Sequence, residues 1–325
     1  EYGSDEIQAA ARSAEVIATT CIGSGIDMMR RLGPFSRVII DECTQSTEPA
    51  VLVALGHGCE QLVVIGDYGQ LPATVLSDEA QRGGLAVSFM ERMLTENGVQ
   101  SLVLVEQRRM HSSISEFPSK FFYYSKLVNA ADDTELPMMP GFPWPNPDCR
   151  VCFVDTSGAG SVEDKSGFSW FNAIEAKIAV DVLEGLFKAG MNPDDVCVLT
   201  PYVAQRRAIL GELTNRKWRG SVLSSVTVDT IDGYQGMEKD LVIFSATRSN
   251  VKRELGFVAD ARRMNVMLTR ARRGVIVVGD SATLGNCTSA DSKWSDWIEW
   301  VEGKESVVRC AQGSLRLPRP GTTKA

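Results

Sequence analysis

Residues 38–49, VIIDECTQSTEP, join an apolar run to two adjacent acids, Asp41 and Glu42. Val38, Ile39 and Ile40 predict a short buried β-strand, and the acids lie where that strand ends. Further runs of this apolar kind occur at 62–66, 102–106, 151–156, 196–200, 225–230, 240–247 and 274–280. Continuous apolar strands are typical of parallel sheets covered by helices on both faces.

Helix-period segments separate these strands. From Asn172 to Gly190, apolar residues recur on one stripe, and Gly190 is a typical helix stop. The alternation predicts an α/β fold with parallel sheets. The Pro-rich stretch 136–148 predicts a surface loop. Trp294, Trp297 and Trp300 are spaced to pack one face of a terminal helix, which we favour over an aromatic platform for bases.

Composition limits the function classes. The chain has 325 residues and a net charge of −7, so no overall basic footprint for nucleic acid is present. Cys149 and Cys152 form the one C-x-x-C pair, without a second pair or a His cluster nearby, which favours buried thiols over a metal site. No signal peptide or apolar run of membrane length occurs, so we expect an intracellular protein, cytoplasmic or nuclear.

The acids at the strand end suggest phosphoryl-transfer chemistry. Ligands of open α/β sheets bind at the carboxyl ends of strands. Phosphoryl transfer needs a carboxylate near Mg²⁺ and a group that activates water, and Asp41 and Glu42 could supply both. The alternative is a helix N-cap and first turn.

A second strand end supports the chemical interpretation. In LVVIGDYGQLPATV, residues 62–75, an apolar strand ends in Gly66 and Asp67, and Gln70 follows. Glycine lets the backbone approach a ligand closely, and Gln70 can hydrogen-bond a phosphate oxygen or a water. We therefore expect the two strand ends to converge on one polar site.

Two arginine-rich segments, 105–119 directly after a predicted strand and 261–280, and one glycine-containing segment, 226–250, complete the set. Residues 261–280 predict a helix that feeds a strand, with Arg263 and Arg270 on one helical face and Arg262, Arg272 and Arg273 solvated. A helix-borne arginine beside a nucleotide can act as an arginine finger. In 226–250, Gln235 and Glu238 are candidates for nucleotide contacts.

These motifs resemble those of the superfamily 1 helicases, in the branch that contains the nonsense-mediated-decay helicases (regulators of nonsense transcripts) and senataxin. DECTQSTEP resembles motif II, GDYGQLPATV motif III and EQRRMHSSISEFPSKFFY the motif IV region. TPYVAQRRAIL is similar to the stretch before motif V, and TIDGYQGMEKDLVIFSATR and ARRMNVMLTRARRGVIVVGD to motifs V and VI. AEVIATTCIGSG, 14–25, is similar to the stretch before motif II, so the matches run in family order over 14–280.

The resemblance implies two RecA-like motor domains of the P-loop NTPase superfamily, the first incomplete. It places the first domain at 1–105, the second at 106–311 and a flexible tail at 312–325. The implied activity is ATP hydrolysis coupled to 5′-to-3′ movement on single-stranded RNA or DNA. ATP and Mg²⁺ are the implied cofactors, and protein regulators are implied partners through domains not in this chain.

The resemblance also implies residue roles. Asp41 would hold Mg²⁺, Glu42 would activate water, and Gln70 would sense the γ-phosphate. Arg109 and Arg270 would be arginine fingers. The remaining nucleotide contacts would come from Gln107, Arg108, Gln235, Gly236 and Glu238. The nucleic-acid contacts would come from Thr20, Thr200, Pro201 and Thr230.

The sequence departs from the family pattern at two points. Arg108 stands where the family carries an aromatic residue that stacks on adenine, although a guanidinium plane can also stack on a base. The phosphate-binding loop G-x-x-x-x-G-K-[ST] does not occur in the 325 residues. Because the family carries this loop upstream of the matched region, we expect it to have been cut away and the chain alone to be inactive.

Two rival hypotheses remain. One is a non-catalytic nucleic-acid-binding or regulatory module of the same fold, which an upstream G-K-[ST] loop would exclude. The other is a nuclease that uses Asp41, Glu42 and Asp67 on metal, which leaves Arg109 and Arg270 unexplained. The sequence does not distinguish RNA from DNA.

Overall fold

The structure is a computed structural model, and it describes residues 4–216, 225–286 and 291–311. The chain divides into two compact units, residues 1–103 and 104–325. Each unit has its own parallel sheet. The predicted tail, 312–325, lies outside the described residues.

The first unit contains a small parallel sheet. Its described elements are α1 Ser4–Ser13, α2 Asp27–Arg31, β1 Arg37–Ile40, α3 Glu48–Leu55, β2 Gln61–Val64, α4 Asp78–Arg82 and α5 Phe89–Thr95. Strands β1 and β2 pair in parallel, from Arg37 opposite Gln61 to Ile40 opposite Val64. Both strands predicted here are therefore confirmed.

The two faces of this sheet differ in burial. Ile40 packs on Cys43 and Val51, and Val38, Leu62 and Val64 pack against this cluster. On the opposite face Ile39 is 70% exposed and Val63 is 52% exposed. Strand side chains alternate between faces, so one face of β1–β2 is covered and the other is open in the part of the chain that the structure describes.

The second unit is built on a larger parallel sheet. Its described strands are β3 Glu106–Gln107, β4 Val128–Asn129, β5 Val151–Asp155, β6 Asp164–Ser166, β7 Ser169–Phe171, β8 Val196–Thr200, β9 Thr227–Thr230, β10 Lys239–Ser245, β11 Ala271–Gly279 and β12 Val307–Arg309. Its described helices are α6 Ser112–Phe122, α7 Ala173–Lys188, α8 Val203–Asn215, α9 Ala261–Leu268, α10 Ser281–Leu284 and α11 Trp294–Gly303. The main sheet has the order β12-β5-β11-β10-β8-β9, and all its neighbouring pairs are parallel.

This main sheet is buried as its continuous apolar runs predict. Strands β5 and β8 are buried at every position. Helix α7 buries Ile178, Val182 and Leu186 in the core of one face. Gly190, with φ at +88°, follows the end of α7 in the left-handed conformation that glycine adopts without strain. The α/β class and the predicted helix are confirmed.

One predicted strand is wrong. Of residues 102–106, only Glu106 belongs to a strand, the short β3 that pairs with β4. Leu102 and Leu104 are 92% and 81% exposed. An apolar run becomes a buried strand only beside a strand that completes its hydrogen bonds, and no pairing of the described strands includes 102–104.

The predicted helix around Arg270 is also shorter than expected. Helix α9 ends at Leu268, and strand β11 begins at Ala271. Arg270 therefore lies in the turn between them, and the seven-residue spacing from Arg263 does not place both on one helical face. Met264 and Leu268 are buried and form the packing face of this helix.

The predictions for the tryptophans and for the Pro-rich stretch have different outcomes. Trp294 and Trp297 are buried, in agreement with their packing role. The Pro-rich stretch forms no helix or strand in the structure, but Met139 and Phe142 enter the core, so it is only partly a surface loop. The loop fits because Gly141 lies against Gly185 of α7, where an added Cβ would come within 2.6 Å of a backbone oxygen.

Cys149 and Cys152 are buried, as expected for structural thiols. Burial is the main cause that raises the pKa of each thiol. A raised thiol pKa disfavours the thiolate, which is the form that reacts and binds metal.

Candidate functional site

The first unit brings the two predicted strand ends together. Cys43 N–H donates to Ile65 O at 2.9 Å, and Ile65 N–H donates to Ile40 O at 2.8 Å. Asp41 and Glu42 thus lie beside the residues that follow β2. A Cβ on Gly66 would meet Cys43 N at 3.4 Å and the Thr44 side chain at 3.3 Å, so glycine permits this close approach.

Asp41 and Glu42 are both exposed to solvent. Glu42 adopts the left-handed conformation with φ at +51°, and its N–H donates to Asp41 Oδ1 at 2.9 Å. Gln45 Nε2 donates to Glu42 Oε2 at 2.9 Å. A non-glycine residue in this conformation is uncommon and is often found at functional sites.

The N-cap interpretation of this pair is wrong for the structure. Glu42 precedes a 3₁₀-helical turn, Cys43–Gln45, without forming a side-chain cap. Its carboxylate instead faces the side chain of Gln45 at the surface. The left-handed residue turns the chain sharply at the end of β1, which presents both acids at that edge.

The second strand end forms a compact turn around Asp67. Its carboxylate accepts from Gly69 N–H and from Gln70 Nε2, both at 2.9 Å. Gln70 N–H also donates to Asp67 O at 3.0 Å. Gln70 is therefore oriented by Asp67. Asp67 was predicted only as a metal ligand of the alternative nuclease, so this orienting role was missed.

The chemistry of this edge fits a cation bound together with phosphate. Mg²⁺ typically takes one or two carboxylates and completes its shell with water and substrate phosphates. Among the described residues, no group of three His, Cys, Asp or Glu could hold a metal ion alone. The exposed carboxylates Asp41 and Glu42 match the sparser set that a nucleotide-bound Mg²⁺ requires.

In the second unit, the two predicted arginine fingers converge on Thr269. Arg109 Nη1 donates to Thr269 O at 3.0 Å, and Arg109 Nε donates to Glu238. Arg270 Nη2 donates to Thr269 Oγ1 at 3.1 Å. Thus the structure brings Arg109, Arg270 and Glu238 together, although 129 residues separate Arg109 from Glu238 in the sequence.

Arg270 is held far more firmly than a surface arginine. Its side chain is buried, and Nε donates to Val266 O at 3.1 Å at the carboxyl end of α9. A cation there interacts favourably with the helix dipole. A weaker contact at 3.5 Å joins Nη1 to Met237 O.

The other residues predicted to contact the nucleotide have different environments in the structure. Gln107 accepts from the N–H groups of Arg109 and Met110 and so shapes the turn rather than facing outward. Arg108 is exposed and pairs with Glu106 at 2.7 Å. Gly236 has φ at +80° in the segment that precedes β10.

A shallow depression of about 410 Å³ is lined by Arg108, Arg109, Glu238 and Arg272. Arg272 was predicted to lie on a solvated helical face, but it lies in β11. Arg273 likewise is not simply solvated, because it pairs with Asp240 at 3.0 Å. Gln235 Nε2 is buried and has no hydrogen-bond partner among the residues that the structure describes.

The predicted nucleic-acid contacts are not equivalent. Thr20 is exposed, and its hydroxyl accepts from Gly23 N–H at 3.0 Å. Thr200 is fully buried, and its hydroxyl pairs with that of Thr247 at 3.1 Å, so its side chain does not face solvent. Pro201 is also buried, whereas Thr230 is partly exposed.

A buried polar network at the carboxyl edge of the main sheet was missed. Glu175 is fully buried and accepts from Ser245 Oγ and Thr247 N–H, both at 2.7 Å. Gln205 Nε2 donates to Ser245 Oγ at 2.9 Å. Thr247 has φ at +71°, and these bonds hold it there.

Burial raises the pKa of Glu175 to about 8, with further contributions from the acids Asp280 and Glu163. Asn172 and Glu175 have the spacing of a helix N-cap and its third residue, and Asn172 does accept from Glu175 N–H. This N-cap spacing predicts an exposed capping glutamate. The sequence alone therefore could not reveal that Glu175 belongs to a buried polar network.

Comparisons with known proteins agree with this geometry. Two family models described as AAA domain match residues 4–78 and 85–282. The second alone spans more than half of the chain. The chain belongs to the AAA domain family. Its parallel sheets with packed helices are consistent with a RecA-like α/β fold.

Relatives that are similar to this chain are much longer than it. A regulator of nonsense transcripts 1 homolog from Drosophila melanogaster is 37% identical over 278 residues, 84% of this chain and 23% of that protein. The ATP-dependent helicase NAM7 of Saccharomyces cerevisiae is 36% identical over 308 residues, 94% of this chain and 31% of that protein. The chain thus spans about a quarter to a third of these two relatives.

A solved structure of the PRRSV helicase covers 78% of this chain, with 17% identity and a TM-score of 0.39. This score is too low to add to the argument for the fold. In the described ranges, no helix is both long enough and apolar enough to cross a membrane.

Proposed function

We propose that this chain forms part of an ATP-dependent helicase core that moves 5′ to 3′ on single-stranded RNA or DNA. The observation that carries the proposal is the convergence of Asp41, Glu42 and Gln70 at two adjacent strand ends. The helicase relatives, and the arginine pair in the second unit, support the same reaction class.

Asp41 is the residue that we assign to Mg²⁺. The bound ion would neutralise charge on the phosphate oxygens of ATP. Asp41 Oδ1 also accepts from Glu42 N–H, so the first acid fixes the backbone of the second. Because both carboxylates are exposed, they are accessible to nucleotide and water without a rearrangement of the core.

Glu42 is the residue that we assign to water activation. Gln45 holds Glu42 Oε2 by one hydrogen bond, which orients the carboxylate and leaves Oε1 for a water proton. Gln70, oriented by Asp67, would hydrogen-bond the γ-phosphate or the attacking water. These roles require a nucleotide whose γ-phosphate reaches this edge.

Arg109 and Arg270 are assigned to the γ-phosphate oxygens, where negative charge is stabilised during transfer. Burial and three hydrogen bonds preorganise Arg270, so little reorganisation accompanies the reaction. Arg109 remains partly exposed and is shared with Glu238. Glu238 would then contact the ribose or phosphate side of the nucleotide, beside Gln235 and Gly236.

Nucleic acid, as the partner, would contact Thr20, Thr230 and the backbone around Thr200 and Pro201. We further propose an intracellular location, cytoplasmic or nuclear. The described cysteines are free thiols, which is typical of a reducing compartment. Protein regulators would act through parts of a longer polypeptide.

A non-catalytic binding module is the second candidate, because the 325 residues contain no G-x-x-x-x-G-K-[ST] loop. One experiment separates the two. Phosphate release should be measured for a polypeptide that joins a phosphate-binding segment to this chain, with and without a single-stranded oligonucleotide. Turnover stimulated by the oligonucleotide supports the helicase, and binding without turnover supports the module. The 325-residue chain alone should release no phosphate above background.

A further inference from the structure

Aromatic rings and cations alternate along the carboxyl edge of the main sheet, away from the arginine pair. The row follows the ends of β5, β8 and β10. The β6–β7 hairpin contributes Trp170, whose ring lies 4.6 Å from Lys165 Nζ and 4.7 Å from Arg248 Cζ. Cations over a ring face are attracted by its quadrupole.

Arg248 lies within this row and is held in place by buried contacts. It is only 3% exposed, and Glu163 binds it through both carboxylate oxygens, at 2.8 and 2.9 Å. Its Nη1 donates to Tyr202 Oη at 3.3 Å. Such a buried bidentate pair fixes the guanidinium plane under Trp170.

The row continues to Phe257. The rings of Tyr202 and Phe257 lie 6.1 Å apart, and Arg263 lies 5.3 Å from the Phe257 ring. The chain can pass this close because residue 256 is glycine: a Cβ there would meet Arg248 Nη1 at 2.6 Å. Gly256 also has φ at +57°.

Two exposed rings are available to a ligand, one in the hairpin that carries Trp170 and one at the Phe257 end of the row. Phe168 is fully exposed at the tip of the β6–β7 hairpin, next to Gly167 with φ at +62°. Phe257 is 62% exposed. The hairpin is anchored, since Ala204 N–H of α8 donates to Ser169 Oγ at 3.1 Å. Lys165, whose ring contact is Trp170, is exposed in the same hairpin as Phe168, and Lys252 and Arg253 are exposed in the loop before Phe257.

We propose that Phe168 and Phe257 are stacking residues for unpaired bases of single-stranded nucleic acid. A single strand presents a base face and a phosphate in every nucleotide, which matches rings interleaved with cations. A protein interface would instead favour a contiguous apolar patch depleted of charge. The inference rests on the proposed function and specifies its nucleic-acid surface.

The test uses the 325-residue chain and labelled oligouridylate and oligothymidylate, with binding followed by fluorescence anisotropy over a range of salt. Phe168→Ala and Phe257→Ala should each raise Kd at least about fivefold for both oligonucleotides, because base stacking is sequence-tolerant. The slope of log affinity against log salt should stay unchanged, since no charge is removed. Phe168→Trp should restore binding.

Tyr124→Ala is the matched control, because Tyr124 is 80% exposed in the same unit but lies outside the row. It should bind as the original chain does. If the original chain binds the oligonucleotides and Phe168→Ala and Phe257→Ala bind equally well, the stacking inference is overturned. The exposed rings would then fit a protein partner, and the helicase proposal would stand. If the original chain binds neither oligonucleotide, both are overturned.

Discussion

The two units place their candidate chemistry at opposite ends of their parallel strands. In the first unit, Asp41, Glu42 and Asp67 follow β1 and β2 at the carboxyl edge. In the second unit, Glu238 and Arg270 precede β10 and β11 at the amino edge. Ligands of open α/β sheets usually bind at the carboxyl ends of strands, and the first unit follows this rule. The proposed nucleotide contacts of the second unit lie at the opposite, amino ends of its strands.

The units also differ in how they hold these side chains. Asp41 and Glu42 are exposed, so their replacement should alter chemistry without loss of stability. Arg270 is buried and hydrogen-bonded, so its replacement should affect both. Under the proposed function, one reaction would draw on an accessible group in one unit and on a buried group in the other, and each can be tested separately.

Glu42→Gln should have the largest effect. In a polypeptide that adds a phosphate-binding segment to this chain, turnover should fall by about 10³ or more, because the proton acceptor is lost. Nucleotide affinity should change little, since the shape is kept. Stopped-flow binding and phosphate release measure the two quantities. Glu60→Gln, an exposed acid of the same unit, is the control. Equal losses of affinity and turnover would make Glu42 a binding residue only.

Arg270→Lys should have the next largest effect, about a hundredfold on turnover. Lysine keeps the charge but lacks the planar fork that bonds Val266 O and Thr269 Oγ1. The midpoint of urea unfolding should also fall, because a buried ammonium would be left poorly bonded. Arg207→Lys, on the exposed side of α8, should change neither quantity. Preserved turnover would remove Arg270 from the reaction.

The pH dependence of stability tests the buried environment of Glu175 in the second unit. Its folded-state pKa of about 8 lies above its ordinary value of 4.5, so the folded protein binds this proton more tightly than the unfolded chain. This contribution to stability is full below about pH 4.5 and falls as the pH rises toward about 8. Glu175→Gln should therefore flatten the fall in urea midpoint between about pH 5 and 8, whereas exposed Glu299→Gln should not. An unchanged pH profile would mean that Glu175 ionises normally.

The smallest predicted effect compares the two sheets directly. Ile243→Val in buried β10 should lower the free energy of unfolding by about 0.5–1.5 kcal/mol. Ile39→Val on the open face of β1 should stay within about 0.5 kcal/mol. All 6 Trp residues lie in the second unit, so tryptophan fluorescence reports Ile243→Val, and circular dichroism follows Ile39→Val. Equal losses would show that the face of Ile39 is covered.

Local patterns predicted most of the fold. Continuous apolar runs identified β5, β8, β10 and β11, because each is buried on both faces by its own residues and their neighbours. The same pattern failed at 102–106, since an apolar run cannot show whether a pairing strand is present. It also extended α9 too far, because Arg270 and Ala271 continue a helical spacing while their backbone enters β11.

The candidate site was predicted where motifs encode it. Asp41, Glu42 and Gln70 come together because their strands are adjacent and parallel, which apolar patterning suggests. The link between Arg109 and Glu238 is long-range and came only through the resemblance. The Arg248 row depends on burial and tertiary contacts that no local spacing reveals, since Glu163, Tyr202 and Phe257 lie in separate loops.

We propose that Glu42 of the first unit and Arg270 of the second serve one hydrolysis reaction. The most direct measurement is ATP turnover by Glu42→Gln, Arg270→Lys and the double variant, in the polypeptide that carries a phosphate-binding segment. Residues that act together in one transition state give strongly non-additive losses. We predict that the double variant is about as slow as the slower single variant. Losses that multiply would contradict the account and assign the two residues to independent functions.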